Sequence, residues 1–180
     1  HAHPHPPRED DDVALTYGEA KFLALKSLLI EKGLVTADEI RRRHEYNDSK
    51  TPHQGARMVA KAWLDPAFKA RMLKDGKAAA IELGIEVTEA ELMVIENTPH
   101  CHNLIVCTLC SCYPRSLLGE PPAWYVSKAY RSRAVREPRK VLAEFGLELG
   151  DEVRVRVHDS TANMRYLVLP MRPEGTTGWP

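Results

Sequence analysis

Three cysteines within six residues constrain this chain more than any other feature of its sequence. Cys107, Cys110 and Cys112 lie at positions i, i+3 and i+5, and the fourth cysteine, Cys101, is close by. Cysteines that form a disulfide scaffold are spread along a chain, whereas clustered thiols favour a metal site in a reducing compartment. The cluster therefore predicts a tight loop in a cytoplasmic protein, which we call the claw loop (residues 107–112), with its three thiols turned toward one point.

Two kinds of metal site are compatible with this spacing. Zinc prefers four tetrahedral ligands, so residues His100–His102 would have to complete a zinc site. Alternatively, deprotonated peptide nitrogens of Ser111 and Cys112 would form a square plane with the sulfurs of Cys110 and Cys112, and Cys107 would bind axially. Such a plane needs a strongly Lewis-acidic trivalent metal such as Co(III) or Fe(III), because mixed nitrogen–sulfur planar ligation is not zinc geometry.

Charge and hydropathy argue against two classes of partner, nucleic acids and membranes. Lys plus Arg and Asp plus Glu each number 25, so the net charge is zero and the basic excess of a nucleic-acid-binding protein is missing. The apolar segments 22–30 and 104–109 are broken by a charge or too short to cross a bilayer. We therefore expect neither nucleic acid nor membrane as a partner. The near absence of self-repulsion favours association with another protein.

The pattern of residues along the chain predicts an α+β protein in three parts. Residues 1–12 are rich in proline, histidine and acidic side chains and are predicted to be a disordered tail. Residues 13–51 are predicted to form a helical N-terminal arm, and residues 52–180 a layered α+β domain that carries the claw loop at the end of a strand.

Apolar periodicity and capping residues predict the elements within these parts. The arm has an apolar helix face followed by a capping box of Thr36 and Glu39. The domain begins with a helix over 54–64 and a second helix from Pro66 to Gly84. Further segments are predicted as strands at 92–95 and 104–106, helices at 122–135 and 138–145, and a hairpin of strands 153–157 and 165–169 around the loop 159–163.

The claw loop and its surroundings closely resemble the α subunits of nitrile hydratases. The run Val106-Cys-Thr-Leu-Cys-Ser-Cys-Tyr113 is similar to the metal-binding motif of that family. The resemblance covers most of residues 17–179 and includes several flanking segments, namely 55–63, 96–99, 102–103, 130–133, 136–139 and 165–170.

The resemblance implies a metal centre with modified cysteines. Cys107, Cys110 and Cys112 would bind the metal through sulfur, and the backbone nitrogens of Ser111 and Cys112 would complete the set. Cys110 would be a sulfinate and Cys112 a sulfenate, so that Cys110, Ser111 and Cys112 form the catalytic group. Thr108 resembles cobalt-type members, which implies non-corrin Co(III), with Fe(III) as the alternative.

The resemblance also implies the reaction and the partners. The activity would be hydration of a small-molecule nitrile to its primary amide, with hydroxide or the Cys112 sulfenate oxygen as nucleophile. The chain would be active only with a β subunit, or split β-type subunits, in a heterodimer or larger heteromer, and two arginines of that subunit would contact the oxidised sulfurs. Loading of cobalt would require an activator protein. The alternatives are the claw-bearing subunit of thiocyanate hydrolase, a structural zinc module that adds His102, and a partner-binding subunit with a vestigial claw loop.

Four residues near the claw loop receive roles from the resemblance. Tyr113 and Arg115 would border the substrate pocket, while Thr108 and Arg165 would lie behind the ligands and support them. Arg115 stands where the family commonly has Trp, which favours a polar or bulky nitrile, with an arginine side chain turned to solvent as the alternative. Thr88 stands at the position that we match to a family Gln.

Overall fold

The computed structural model describes residues 14–176 and residue 178, and it mixes helices with strands as the predicted α+β class requires. Among the described residues, those up to Glu45 and those from Tyr46 onward form two compact units. The predicted boundary at residue 52 stays a prediction, and the predicted disordered tail 1–12 lies outside the described residues. None of the described helices is both long and apolar enough to cross a membrane.

The first unit is helical and its helices begin where the capping residues predict. Helix α1 (Tyr17–Glu31) begins after Thr16, and α2 (Ala37–Asp48), which continues into the second unit, begins after Thr36. Thr36 and Glu39 exchange hydrogen bonds of 3.1 and 2.8 Å, which confirms the predicted capping box. Helix α1 contains no buried residue, and its exposed large apolar side chains are Tyr17, Phe22, Leu23, Leu25 and Leu28.

Three helices at the start of the second unit form one side of its larger core. They are α3 (His53–Leu64), α4 (Pro66–Lys74) and α5 (Gly76–Glu82). The single helix predicted from Pro66 to Gly84 is therefore wrong, because the helix breaks at Asp75. The Asp75 carboxylate accepts a 2.8 Å hydrogen bond from the Ala78 amide and begins a new helix.

Four strands of equal length form two separate pairs. They are β1 (Glu91–Glu96), β2 (Cys101–Val106), β3 (Arg154–Asp159) and β4 (Met164–Leu169). Strand β1 pairs with β4 and β2 with β3, and both pairs are parallel. The predicted hairpin of β3 and β4 is therefore wrong. Parallel pairing requires long crossovers, and the helices after the claw loop supply the one from β2 to β3.

The crossover helices form the second core. After α6 (Arg115–Leu118), the predicted helix 122–135 is divided at Ser127 into α7 (Ala123–Val126) and α8 (Lys128–Arg136), because the Ser127 hydroxyl caps the Tyr130 amide. Helix α9 (Pro138–Glu144) follows. This core packs one face of α7, α8 and α9 against the end of β2, through the buried residues Val106, Tyr125, Tyr130, Ala134 and Val141.

The side chain of Asn103 links the two strand pairs. Its amide donates to the Glu96 carbonyl at 2.8 Å and to the Asn97 side-chain oxygen at 3.0 Å. Its own oxygen lies 2.9 Å from Nε2 of His158 on β3. Because Asn103 is buried, these contacts satisfy groups that have little access to water.

We therefore expect Asn103→Ala to lower the free energy of unfolding by about 2 kcal/mol, because it leaves buried polar groups without partners. Urea unfolding followed by circular dichroism measures this loss. Asn47→Ala, on the exposed side of α2, is the control. Equal stability of the two variants would contradict a linking role for Asn103.

Candidate metal centre

The claw loop leaves the end of β2 and brings three thiols together. Cys107 follows Val106, the last residue of the strand. The sulfurs of Cys107, Cys110 and Cys112 all lie within 4.8 Å of one another. The Cys107–Cys110 and Cys110–Cys112 sulfur distances are 3.4 and 3.2 Å, and all the cysteines are free. The predicted convergence of the thiols is therefore confirmed.

Hydrogen bonds from three other elements hold the backbone of the loop. Asp159, at the end of β3, accepts from the Thr108 amide at 2.9 Å and from its hydroxyl at 2.5 Å. Arg131 Nη1 on α8 donates to the Leu109 carbonyl at 3.1 Å. The Tyr125 hydroxyl on α7 donates to the Cys112 carbonyl at 2.8 Å. The loop is therefore positioned by the fold and not by its own residues alone.

The three thiols have different environments. Cys107 and Cys112 are 1% and 8% exposed, whereas Cys110 is exposed. Hydrogen bonds from the thiols of Cys112 and Cys107, and from the amides of Ser111 and Cys112, lower the pKa of Cys110 to about 7. Burial, followed by the adjacent thiols, raises the pKa of Cys112 to about 12. Cys110 is therefore more accessible and more readily ionised than Cys112.

This donor set fits the metal that the sequence suggests. Three sulfurs converge, and the amides of Ser111 and Cys112 are directed at the Cys110 sulfur, so the peptide nitrogens lie beside the thiols. Soft sulfur donors with adjacent amide nitrogens suit a transition metal better than a hard cation. Residues Cys107–Cys112 are therefore able to hold such an ion.

The other candidate ligands lie outside the cluster. Among the described residues, the three claw cysteines are the group of His, Cys, Asp and Glu side chains close enough to share an ion. Nδ1 of His102 is instead 3.2 Å from the Asn97 side-chain nitrogen, and burial lowers the pKa of His102. Neither His102 nor Cys101 supplies the fourth ligand that a structural zinc site requires.

One face of the claw loop opens into a cavity of about 340 Å³. Its lining includes six of the residues to which the resemblance assigns a role, and these are Cys110, Ser111, Cys112, Tyr113, Arg115 and, from β4, Arg165. Arg115 is half exposed and forms a 3.1 Å ion pair with Glu120. The charge of Arg165 acts to lower the pKa of Cys112, against the effect of burial.

Two residues at this site were missed or undervalued from the sequence. Glu89 lines the cavity, and its carboxylate accepts from the Ser116 amide at 2.9 Å while its second oxygen is buried without a partner among the described residues. Asp159 was predicted only to lie in a hairpin loop, yet it holds Thr108. No local pattern marks either residue, because both act on segments distant in sequence.

The chain is similar to known proteins over most of its length. The family described as "Nitrile hydratase, alpha chain" matches residues 16–180. The cobalt-containing nitrile hydratase subunit alpha of Pseudonocardia thermophila is 48% identical over 175 residues, which are 96% of this chain and 86% of the relative. The thiocyanate hydrolase subunit gamma of Thiobacillus thioparus is 47% identical over 169 residues, which are 87% and 70% of the two chains.

The fold agrees with these similarities. A solved Fe-type nitrile hydratase from Comamonas testosteroni Ni1, a double mutant, superposes with a TM-score of 0.86 at 44% identity, and the match covers 91% of this chain and 81% of that one. The resemblance drawn from the claw loop is therefore confirmed, and the chain belongs to the nitrile hydratase alpha-chain family.

Proposed function

We propose that this chain is the metal-binding α subunit of a cobalt-type nitrile hydratase, which adds water across a carbon–nitrogen triple bond to give a primary amide. The observation that carries this proposal is the convergence of three thiol sulfurs within 4.8 Å, in a loop that opens into a cavity. The cavity is where a small nitrile would approach the sulfurs.

The proposed ligands are the sulfurs of Cys107, Cys110 and Cys112 and the backbone nitrogens of Ser111 and Cys112. A bound Co(III) ion supplies Lewis acidity, which polarises a nitrile and activates water. We favour non-corrin cobalt because Thr108 resembles cobalt-type members and the Pseudonocardia relative is named cobalt-containing. Fe(III) is the alternative, since an Fe-type enzyme is among the similar structures.

The proposed oxidation states follow the exposure of the thiols. Cys110 is exposed and carries the lowered pKa, so we assign it the sulfinate, the more oxidised form. Cys112 is largely buried and is assigned the sulfenate. Cys107 is the least exposed of the three and stays an unmodified thiolate.

Residues of the chain then orient the substrate and the nucleophile. Tyr113 and Arg115 form part of the cavity wall and would position the body of the nitrile. Arg165 would stabilise negative charge at Cys112, whose sulfenate oxygen is one candidate nucleophile and a hydroxide the other. Thr108 would support the site from behind, Arg165 would do so from the cavity wall, and the product leaves as the amide.

The proposed assembly is a heteromer in the cytoplasm. We propose a β subunit, or split β-type subunits, because the claw loop and its cavity are open on this chain. An activator protein would insert the cobalt. A cytoplasmic location suits the free cysteines, since a reducing compartment keeps them available for the metal.

Thiocyanate hydrolase is the second candidate, because its gamma subunit is 47% identical to this chain. The two activities differ in the substrate and not in the claw loop. The purified complex should therefore be offered nitriles and thiocyanate separately. Turnover of thiocyanate without turnover of any nitrile would replace the first proposal with this one.

The oxidation states of the three claw-loop cysteines test the proposed metal centre. In the complex produced with its partner and cobalt, we expect two added oxygens on Cys110, one on Cys112 and none on Cys107. Mass spectrometry of the peptide containing the loop measures this, with metal analysis of the same sample. Zinc together with three reduced thiols would contradict the proposed centre.

Asp159 provides a second test, because its carboxylate holds the first turn of the claw loop. We expect Asp159→Ala to lower cobalt retention or nitrile turnover by about 10- to 100-fold, the usual effect of losing a partner behind a metal ligand. Asp159→Asn keeps one acceptor and should restore much of the loss. Asp151→Asn, in an exposed turn, is the control and should behave as the wild type.

Arg115 tests the substrate preference of the cavity. We expect Arg115→Trp to shift the ratio of kcat/KM values toward apolar aromatic nitriles and away from polar ones, because it replaces a cation by an apolar wall. Glu120→Gln removes only the ion-pair partner and should leave the ratio nearly unchanged. An unchanged ratio in Arg115→Trp would mean that the side chain faces solvent during turnover.

A further inference from the structure

Thr108 of the claw loop lines a basic groove on helix α8, which shares no residue with the cavity beside Cys110. The groove has a volume of about 480 Å³, and α8 contributes Lys128, Arg131 and Arg136 to it while the claw loop contributes Thr108. These three α8 residues all line the same cavity. Tyr130 of the same helix is instead buried in the second core. We call this cavity the α8 groove.

The positive charges of the α8 groove are not balanced within the described part of the chain. Neither Lys128, Arg131 nor Arg136 lies within ion-pair distance of a described carboxylate. Arg133 on the same helix, by contrast, pairs with Glu137 at 2.6 Å and Glu144 at 2.5 Å. Two carboxylates therefore neutralise the charge of Arg133, whereas no described carboxylate pairs with the three basic residues that line the groove.

Arg131 is the most informative of these residues. Its Nη1 donates to the Leu109 carbonyl of the claw loop at 3.1 Å, which fixes the guanidinium. Its Nε is buried and has no hydrogen-bond partner among the described residues. A guanidinium binds a carboxylate best through two parallel N–H groups, so an acceptor that reached the edge formed by Nε and Nη2 would satisfy an N–H that the described residues leave unpaired.

The position of Lys128 argues against a purely local role. Lys128 lies in the first turn of α8, where the helix dipole disfavours a positive charge. Its presence therefore does not stabilise the helix. Two apolar side chains nearby, Leu109 at 89% and Val135 at 51% exposure, would be covered by a polypeptide but not by a small anion.

We propose that the α8 groove docks an acidic segment of the partner subunit, with an Asp or Glu carboxylate on Arg131 and the charges of Lys128 and Arg136 beside it. This rests on the proposed function only in requiring a partner subunit. Because Arg131 also holds the Leu109 carbonyl, the docked carboxylate stabilises the claw loop through a residue that does not line the substrate cavity.

The first test measures binding of the purified chain to its partner subunit as a function of salt. We expect the double variant Lys128→Glu, Arg136→Glu to bind about tenfold more weakly or worse at low salt, with a smaller salt dependence, because attraction becomes repulsion. The double variant Arg154→Glu, Arg156→Glu, which reverses two exposed cations on β3 outside the groove, is the matched control and should bind within about twofold of the wild type.

The second test uses the unmodified complex, so it does not depend on the folding of a variant. A zero-length carbodiimide joins a lysine to a carboxylate in contact with it, and we expect a cross-link from Lys128 to an Asp or Glu of the partner. Wild-type affinity and salt dependence in the double variant would overturn the proposal. So would a Lys128 cross-link found only within its own chain, or a partner affinity that a saturating concentration of inorganic phosphate leaves unchanged at constant ionic strength.

These readouts separate the docking proposal from the proposed activity. Binding and cross-linking do not require turnover, so a complex that hydrates no nitrile but shows both effects supports the α8 groove and refutes only the activity. A wild-type chain that binds no partner subunit would refute the heteromer itself. That result would appear before any variant is compared.

Discussion

The hydrogen bonds that reach the backbone of the claw loop are the interaction on which the site depends. Three thiols held within 4.8 Å would repel one another when ionised, and a free hexapeptide would not keep them together. Asp159, Arg131 and Tyr125 hold the loop from the end of β3, from α8 and from α7. The parallel pairing of β2 with β3 is what brings Asp159 to the end of β2, where the loop begins. The geometry of the claw loop therefore depends on the parallel strand pairing.

This dependence explains which features were predictable. The claw thiols, the capping box of Thr36 and the position of each strand are local patterns, and the structure confirms them. The pairing of strands is not local, because the alternation of side chains shows which face is buried but not which strand lies alongside. The hairpin predicted around residues 159–163 was the simplest connection, yet Asn103 and the crossover helices favour two parallel pairs.

Two smaller errors of the sequence-based prediction also arise from contacts between segments that are distant in sequence. The apolar pattern through residues 66–84 continues across Asp75, and only the packing of Gly76 against β1 shows why the helix must break. A Cβ on Gly76 would lie 2.6 Å from the Leu92 carbonyl, so this turn approaches the strand as closely as glycine allows. Glu89 is similar, since its place beside the cysteines arises from its bond to the Ser116 amide and from no motif of its own.

The differing burial of the three sulfurs links the fold to the chemistry. A metal needs all three thiols, but oxidation requires access as well as ionisation. Cys107 directly follows the buried Val106 and is itself shielded, Cys112 is anchored through its carbonyl by Tyr125, and Cys110 is exposed between them. Strand β2 and the Tyr125 hydrogen bond therefore fix the two ends of the loop, and the thiol between those ends stays exposed. The graded oxidation that we propose would then follow from the path of the backbone, without a separate group to protect each sulfur.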